Sequence, residues 1–158
     1  MLWKFIRIFT QAPIIDEHTV LKLGSGYYLV DEKLRRMVVG TNMTCAAAGI
    51  LLGREFGTGF LPSTYLLTLL CNKAEFKVTL NEKGAWLFIC ARDIFSESII
   101  EVTGKPSVRD LVLVMNAKQE CLGIGSVEQK LQARGLVIKN VYDIGWFVRK
   151  KAKPIRID

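Results

Sequence analysis

The sequence contains a single histidine, His18, and its four cysteines form no closely spaced pair. Cys45, Cys71, Cys90 and Cys121 lie 26, 19 and 31 residues apart along the chain. Structural zinc sites take their ligands from close couples of Cys or His. The sequence therefore predicts no metal site and no cofactor, and we expect buried, reduced thiols that act as small hydrophobic residues.

Long hydrophobic runs are also missing. The longest candidates, Cys45–Leu52 and Phe60–Cys71, fall short of the roughly 20 apolar residues that a spanning helix needs, and Pro62 interrupts the second. The first nine residues alternate cations with apolar residues, and no small-residue cleavage site follows them. We therefore predict an intracellular protein without a membrane partner, cytoplasmic in a prokaryote and nuclear or nucleolar in a eukaryote.

A catalytic constellation is not apparent in the first half of the chain. The glycine-rich segment 49–59 lacks the Gly-Lys-Ser or Gly-Lys-Thr ending of a phosphate loop, so its glycines are interpreted as turns and bulges between strands. The acids there are scattered and include Asp16, Glu17, Asp31, Glu32 and Glu55. The sequence predicts a protein that is not an enzyme.

Positive charge, by contrast, is concentrated at one end. The chain of 158 residues carries a net charge of +7, and residues 129 onward contribute eight cations against two acids. Five cations fall in the last ten residues, which begin two positions after the aromatic pair Trp146 and Phe147. Cations beside aromatic rings favour a nucleic-acid partner. The alternative is a solvated terminal tail with no ligand.

Apolar periodicity predicts two kinds of structure along the chain. Leu2, Phe5, Ile6 and Phe9 predict a helix that ends before Pro13. A strand at Tyr27–Val30 then leads to a helix capped by Asp31, with Leu34, Met37 and Val38 on one face, followed by a buried strand at Cys45–Leu52.

After a boundary near Asn72–Ala74, short extended runs dominate the pattern. They are Phe76–Leu80, Trp86–Cys90, Ile99–Val102, Leu111–Met115, Leu122–Val127, Leu136–Ile138 and Ile144–Val148, with one short helix within 91–98. Such runs predict a small barrel or pseudobarrel.

Four segments carry a family resemblance. Asp110–Gly125, with its Leu-Gly-x-Gly strand after a polar turn, resembles the central hairpin of PUA domains, which are RNA-binding pseudobarrels. The order of Tyr27–Leu34, Gly53–Gly57 and Asp143–Arg149 resembles the Nip-seven family of ribosome biogenesis proteins. The strongly basic ending is similar to that of archaeal members, and the resemblance extends from about Leu2 to Arg149.

The resemblance implies an α+β protein in which an N-terminal α/β domain with an antiparallel sheet, residues 1–74, precedes a PUA β-pseudobarrel, residues 75–158. It implies a non-catalytic factor that binds pre-rRNA or uridine-rich single-stranded RNA and assists large ribosomal subunit maturation. Other ribosome assembly or RNA-processing proteins are expected partners. Since the N-terminal domain has no evident basic stripe, we assign the protein contacts to it. We also expect a monomer.

The candidate RNA-binding residues are cations. If the chain turns after Val148, four of them line a single groove, namely Arg149, Lys150, Lys153 and Arg156. Lys151 is expected to add a supporting positive charge. Arg92 lies in Cys90–Ser96, a degenerate form of the glycine-rich turn of many PUA domains, and is either a phosphate contact or an exposed structural arginine. Phosphate contacts give salt-dependent affinity with little sequence information. Trp146 or Phe147 could stack on a base, while strand alternation would send the other into the core.

Two other functions stay open on the sequence. PUA domains accompany RNA-modifying enzymes, so the protein could be an accessory of such an enzyme. Another PUA family consists of translation factors that dock on the small ribosomal subunit. Modification of rRNA transcripts would favour the first, and cosedimentation with mature small subunits would favour the second.

Overall fold

The computed structural model describes residues 1–41, 44–131, 133–149 and 155–156, with the side chains of residues 147, 148 and 156 outside the description. The helices are α1 (Leu2–Phe9), α2 (Glu32–Gly40), α3 (Thr64–Cys71), α4 (Glu82–Ile89) and α5 (Trp146–Arg149). The strands are β1 (Val20–Leu23), β2 (Gly26–Leu29), β3 (Ile50–Phe56), β4 (Gly59–Pro62), β5 (Lys77–Leu80), β6 (Ile94–Phe95), β7 (Ile99–Thr103), β8 (Leu111–Met115), β9 (Cys121–Val127), β10 (Leu136–Asp143) and β11 (Ile155–Arg156). Short 3₁₀ turns occupy Glu17–Thr19 and Ser96–Ser98.

Two sheets organise these elements. The first is antiparallel with strand order β1-β2-β3-β4-β11. The second has the order β6-β10-β9-β8-β5-β7 and is antiparallel except where β5 runs parallel to β8. The predicted α+β architecture, with an antiparallel N-terminal sheet followed by a curled β-domain, is confirmed.

Helix α1 forms as its spacing predicts and joins the first sheet to the second. Four of its apolar residues, Leu2, Phe5, Ile6 and Phe9, are buried, and the Phe5 ring centroid lies 4.9 Å from that of Phe60 on β4. The same core contains Leu113, Met115, Ile124 and Tyr142 from the second sheet. The two halves therefore share one hydrophobic core.

Strand β8 explains why the sequence around residue 113 is apolar without alternation. Leu113 and Met115 face the core shared with α1, whereas Val112 and Val114 face the interior of the second sheet. Because side chains alternate across a strand, both faces of β8 are buried. This strand holds the barrel against the N-terminal layer.

Several local predictions are confirmed. Asp31 caps α2, since its Oδ1 accepts a hydrogen bond from the Leu34 amide at 2.7 Å. In the glycine-rich segment, Gly57 turns the β3–β4 hairpin with a φ of +59°, and the β2–β3 register shifts opposite Gly53. The predicted apolar face of α2 is only partly correct, because Met37 is exposed.

Three segment predictions are wrong. Residues 86–89 belong to helix α4 instead of a strand, and Asn81 caps this helix by accepting from the Gly84 amide at 2.8 Å. The short helix predicted within residues 91–98 is present as the 3₁₀ turn at Ser96–Ser98. Residues 144–145 form a turn, and α5 follows where a strand was expected. In the first sheet, β3 begins at Ile50, five residues after the predicted start.

The C-terminal strand β11 returns to the first sheet. Ile155 pairs with Phe60 on β4 and is buried in the shared core. The loop between α3 and β5 contains the proposed boundary after residue 74, yet β11 lies beyond that boundary and pairs within the first sheet. The division into residues 1–74 and 75–158 stays a prediction.

Candidate nucleic-acid interface

Helix α4 presents a partly apolar outer face. Phe88 and Gly84 pack inward, and a Cβ on Gly84 would lie 2.6 Å from the Cβ of Ser98, so the helix is held close to the 3₁₀ turn. The opposite face exposes Lys83 and Trp86, the indole being 66% exposed. A large exposed aromatic residue beside a cation is the arrangement that binds a base and its phosphate.

The C-terminal end of α4 is closed by a Schellman motif. The Ala91 amide donates to Phe88 O at 2.9 Å, and the Arg92 amide donates to Leu87 O at 3.1 Å. Ala91 adopts a φ of +63°, a left-handed conformation that glycine usually occupies. The turn after α4 thus adopts a left-handed backbone conformation at Ala91 without a glycine.

The loop after α4 is fixed from the barrel side. Asn140 on β10 donates through Nδ2 to Phe88 O at 2.8 Å and to Arg92 O at 3.4 Å. Its backbone amide donates to Asp93 Oδ1 at 2.8 Å. The backbone of Arg92 is therefore held in place while its side chain is exposed to solvent.

Arg149 at the end of α5 docks on the same end of α4. Its Nη2 lies 2.7 Å from both carboxylate oxygens of Asp143, and its Nη1 donates to Ile89 O. Asp143 is buried, whereas the Arg149 side chain keeps 32% of its exposure. A cation on a terminal helix carbonyl also complements the helix dipole. Arg149 therefore joins β10, α5 and α4, while its side chain stays partly exposed.

Gly145 makes this docking possible. A Cβ at this position would lie 2.5 Å from Arg149 Nη1 and 3.0 Å from Asp143 Oδ1, and nearer still to Ile89 O. The Asp-Ile-Gly triplet of the sequence therefore has a structural explanation. Asp143 pairs with Arg149, and Gly145 allows the α4 carbonyl to approach.

The predicted site residues fall into three groups. Arg149 and Arg92 are brought to the same end of α4. Lys150, Lys151 and Lys153 lie outside the described residues. Arg156 belongs to strand β11, and its backbone pairs with Gly59 in the first sheet. The chain is thus held before residue 150 by the Arg149 contacts and at residue 155 by burial of Ile155.

The aromatic pair is arranged differently from the prediction. Alternation between Trp146 and Phe147 does not apply, because both belong to helix α5. Trp146 packs against the shared core and donates through Nε1 to the hydroxyl of Tyr142. Burial raises the pKa of that Tyr142 hydroxyl to about 12, so it stays protonated. The side chain of Phe147 lies outside the described residues.

Sequence reasoning missed Lys83 and Trp86. Interpreting residues 86–90 as a strand assigned no exposed face to Trp86. The available signal was Asn81 followed by Glu82, because a capping residue and an acid in the first turn are typical of a helix start.

Other site types are not indicated by the described ranges. No group of three or more His, Cys, Asp or Glu residues there is arranged to hold a metal ion. No helix within them has the length and hydropathy to cross a bilayer. The expectation of buried thiols holds for Cys71, whereas Cys90 is exposed.

The curled six-stranded sheet with α4 packed on it is consistent with a PUA-type protein, and comparison with known families assigns that class. A family model described as the UPF0113 PUA domain matches residues 76–152. A UPF0113 protein from Aeropyrum pernix is 30% identical over 148 residues, covering 90% of this chain and 80% of the relative. The chain belongs to the UPF0113 family, whose PUA domain is of a type that typically binds RNA and is generally not catalytic.

Solved structures show the same fold. A PUA domain from Aeropyrum pernix K1, solved with tartrate, has a TM-score of 0.61 at 13% identity and covers 95% of this chain and 84% of its own. A conserved PUA domain protein from Thermoplasma acidophilum has a TM-score of 0.53 at 21% identity, with 66% and 74% covered. At these identities the likeness extends to the fold alone.

Proposed function

We propose that the protein is a non-catalytic RNA-binding factor that assists maturation of the large ribosomal subunit. In this proposal the PUA region, within residues 75–158, binds pre-rRNA or uridine-rich single strands. The N-terminal part, within residues 1–74, contacts other assembly proteins. Membership of the UPF0113 PUA family supports the RNA-binding part, and the resemblance to the Nip-seven family supports the ribosomal part.

The observation that carries the proposal is the docking of Arg149 on the end of α4. The ion pair with Asp143 and the bond to Ile89 O hold the chain against the helix that exposes Lys83 and Trp86. Lys150 and Lys151 follow at once in sequence. A dense group of cations that begins beside an exposed aromatic helix face favours a single-stranded polyanion.

Within this proposal the cations have different tasks. Arg149 is a positioning residue first, since three of its hydrogen-bond contacts are to Asp143 and Ile89, and its partly exposed side chain contacts one phosphate. Lys150, Lys151, Lys153 and Arg156 supply the remaining phosphate contacts. Arg92 contacts a phosphate near the Trp86 ring, on which a base stacks.

The first test removes charge. Fluorescence anisotropy with a labelled uridine-rich single strand is measured for Lys150→Ala/Lys151→Ala/Lys153→Ala over a range of salt concentrations. Loss of three phosphate contacts should lower the slope of log affinity against log salt by about 2, since each contact contributes about 0.7 on single strands. The matched control removes three exposed cations of the N-terminal half, Lys4→Ala/Lys33→Ala/Arg36→Ala, and should keep the wild-type slope. Equal slopes for the two triple variants would refute the assignment of Lys150, Lys151 and Lys153 as phosphate contacts.

The second test removes the ring. Trp86→Ala should weaken RNA binding by about 1–3 kcal/mol, the range for one base–aromatic stack, with the salt slope unchanged. Phe56→Ala removes an aromatic residue that is 69% exposed at the β3–β4 hairpin and serves as the control. Equal affinity of the two variants would assign no stacking role to Trp86.

The ribosomal part requires a separate measurement. Extracts are prepared from the native host or from a host that expresses the tagged protein, and they are fractionated on a density gradient. The position of the protein and the RNA crosslinked to it are determined for each fraction. We expect it with large-subunit precursors and their rRNA. Recovery with mature small subunits would instead support the translation-factor function, even if the RNA-binding tests succeed.

A further inference from the structure

Three sulfur atoms meet where the N-terminal layer packs on the barrel. Cys71 ends α3, and its Sγ lies 3.5 Å from Sδ of Met115 on β8. Cys121 begins β9 and is paired across the ladder with Met115, so their side chains share one face. Cys71 and Cys121 thus both neighbour Met115, at the place where α3 packs on β9.

This pair is reachable from solvent. A cleft of about 420 Å³ is lined by both Cys71 and Cys121, together with Thr68, Asn72, Gln119, Glu120, Leu122 and Ile144. Most of these neighbours are polar or small, and the cleft is large enough for a hydroperoxide to enter. The two thiols thus line one cleft that a small oxidant can enter.

The surroundings make the two thiols unequal. Contact with Cys121, together with the charge of Lys77, lowers the pKa of the Cys71 thiol, although burial acts in the opposite direction. Lys77 is held nearby, since its Nζ donates to Cys71 O at 3.3 Å. Contact with Cys71 and burial raise the pKa of Cys121. Because the thiolate is the reactive form, Cys71 is the thiol that attacks first.

We propose that Cys71 and Cys121 form a reversible disulfide when the protein meets a hydroperoxide. The Cys71 thiolate attacks one oxygen of hydrogen peroxide, the O–O bond breaks, and Cys71 sulfenic acid and hydroxide form. The Cys121 thiol then attacks the sulfenic sulfur, the S–O bond breaks, and the S–S bond and water form. Peroxide is reduced by two electrons, the two thiols are oxidised by the same two, and a dithiol reverses the reaction.

The cross-link would connect the two halves of the molecule. Cys71 belongs to the N-terminal layer, and Cys121 belongs to the central hairpin of the PUA region. A covalent bond across this contact restricts the unfolded chain between residues 71 and 121. The oxidised protein is therefore expected to melt at a temperature higher by roughly 5 °C or more than the reduced one.

The test uses the full chain with Cys45→Ser/Cys90→Ser, which leaves only the two thiols in question. After brief peroxide treatment, peptide mapping should find an intramolecular disulfide between Cys71 and Cys121. When the treated protein is then unfolded, neither thiol should react with a thiol reagent, and dithiothreitol should restore both thiols. In the same background Cys121→Ser should accumulate a dimedone adduct on Cys71, whereas Cys71→Ser should form little on Cys121. Wild-type protein mapped in parallel guards against effects of the substitutions on folding.

Thiols that stay titratable after peroxide, or links that form only between molecules, would overturn the proposal. A dimedone adduct that favours Cys121 over Cys71 would also overturn it, because the order of the two steps would be reversed.

Discussion

Gly145 offers the most direct perturbation of the corner at which α4, β10 and α5 meet. In Gly145→Ala the new methyl group would lie 2.5 Å from Arg149 Nη1 and 3.0 Å from Asp143 Oδ1, with Ile89 O on its other side. The backbone carbonyl cannot rotate away as a flexible side chain can. The Arg149 guanidinium must therefore move, and its bond to Ile89 O is lost or weakened.

The expected cost follows from the groups involved. Inserting a methyl group into a filled site costs about 1–3 kcal/mol, and a hydrogen bond from a charged donor contributes about 1.5–3 kcal/mol. Because Arg149 is partly exposed and can regain water contacts, we expect a loss of about 2–4 kcal/mol in the free energy of unfolding. For a chain of this length that corresponds to a fall of roughly 5–15 °C in Tm.

Urea denaturation is the assay, with the slope m compared to establish that the same surface is exposed on unfolding. The control is Gly40→Ala at the end of α2, where a Cβ would meet nothing within 4 Å. Alanine favours a helix there, so this variant should be unchanged or more stable by up to about 1 kcal/mol. If Gly145→Ala were as stable as Gly40→Ala, the reasoning about this corner would be refuted.

Two other stability predictions concern single backbone and charge positions. Ala91→Gly should stabilise the protein by about 0.5–1 kcal/mol in urea denaturation. The left-handed conformation costs residues other than glycine about 1–2 kcal/mol, and glycine loses part of that gain because its unfolded chain has more conformational entropy. A destabilised variant would contradict the Schellman assignment. Hydrogen bonds from Tyr27 and Lys22 lower the pKa of Glu55 from its ordinary value of 4.5, so the stability that Glu55 contributes is present above that pH and is lost as pH falls through the lowered folded pKa. The difference in unfolding free energy between wild type and Glu55→Gln should therefore shrink as the pH falls below about 4.5. The control is Glu32→Gln, which removes one partner of an exposed ion pair and should show little dependence on pH. A difference for Glu55→Gln that stays constant with pH would exclude this contribution of Glu55 to stability.

Features set by local patterns could be predicted from the sequence. Helix α1 follows from four apolar residues on one face, and the start of α2 follows from Asp31. The β8–β9 hairpin was recognisable because both strands are strongly apolar around a polar turn. These elements depend on interactions between residues close in sequence, which a reader of the chain can see.

Features that depend on distant contacts could not be predicted. Residues 86 and 88 share one face in a strand, whereas in helix α4 the Trp86 indole is exposed and the Phe88 ring is buried. The signal at Asn81 and Glu82 marks the start of that helix, but it does not show that Gly84 packs against Ser98. Strand β11 is two residues long, and it pairs with β4 across almost a hundred residues of sequence. The dual burial of β8 likewise requires knowing that a second layer covers it.

The position of the basic segment has an energetic consequence for binding. A cationic tail that is free in solution loses conformational freedom when it aligns its charges along a nucleic acid, and each ordered long side chain adds about 0.5–1.5 kcal/mol. Here the chain is held by Arg149 on one side of Lys150, Lys151 and Lys153 and by Ile155 on the other. We expect these two attachment points to reduce the ordering cost when the segment between them binds RNA. It follows that releasing the anchor should weaken RNA binding even when every lysine is retained.

Asp143→Asn removes the charge that pairs with Arg149 and should lower the affinity for single-stranded RNA. The slope of log affinity against log salt should fall by no more than the contribution of one phosphate contact, about 0.7. If Asp143→Asn folds and binds RNA with wild-type affinity, the anchor contributes nothing to recognition.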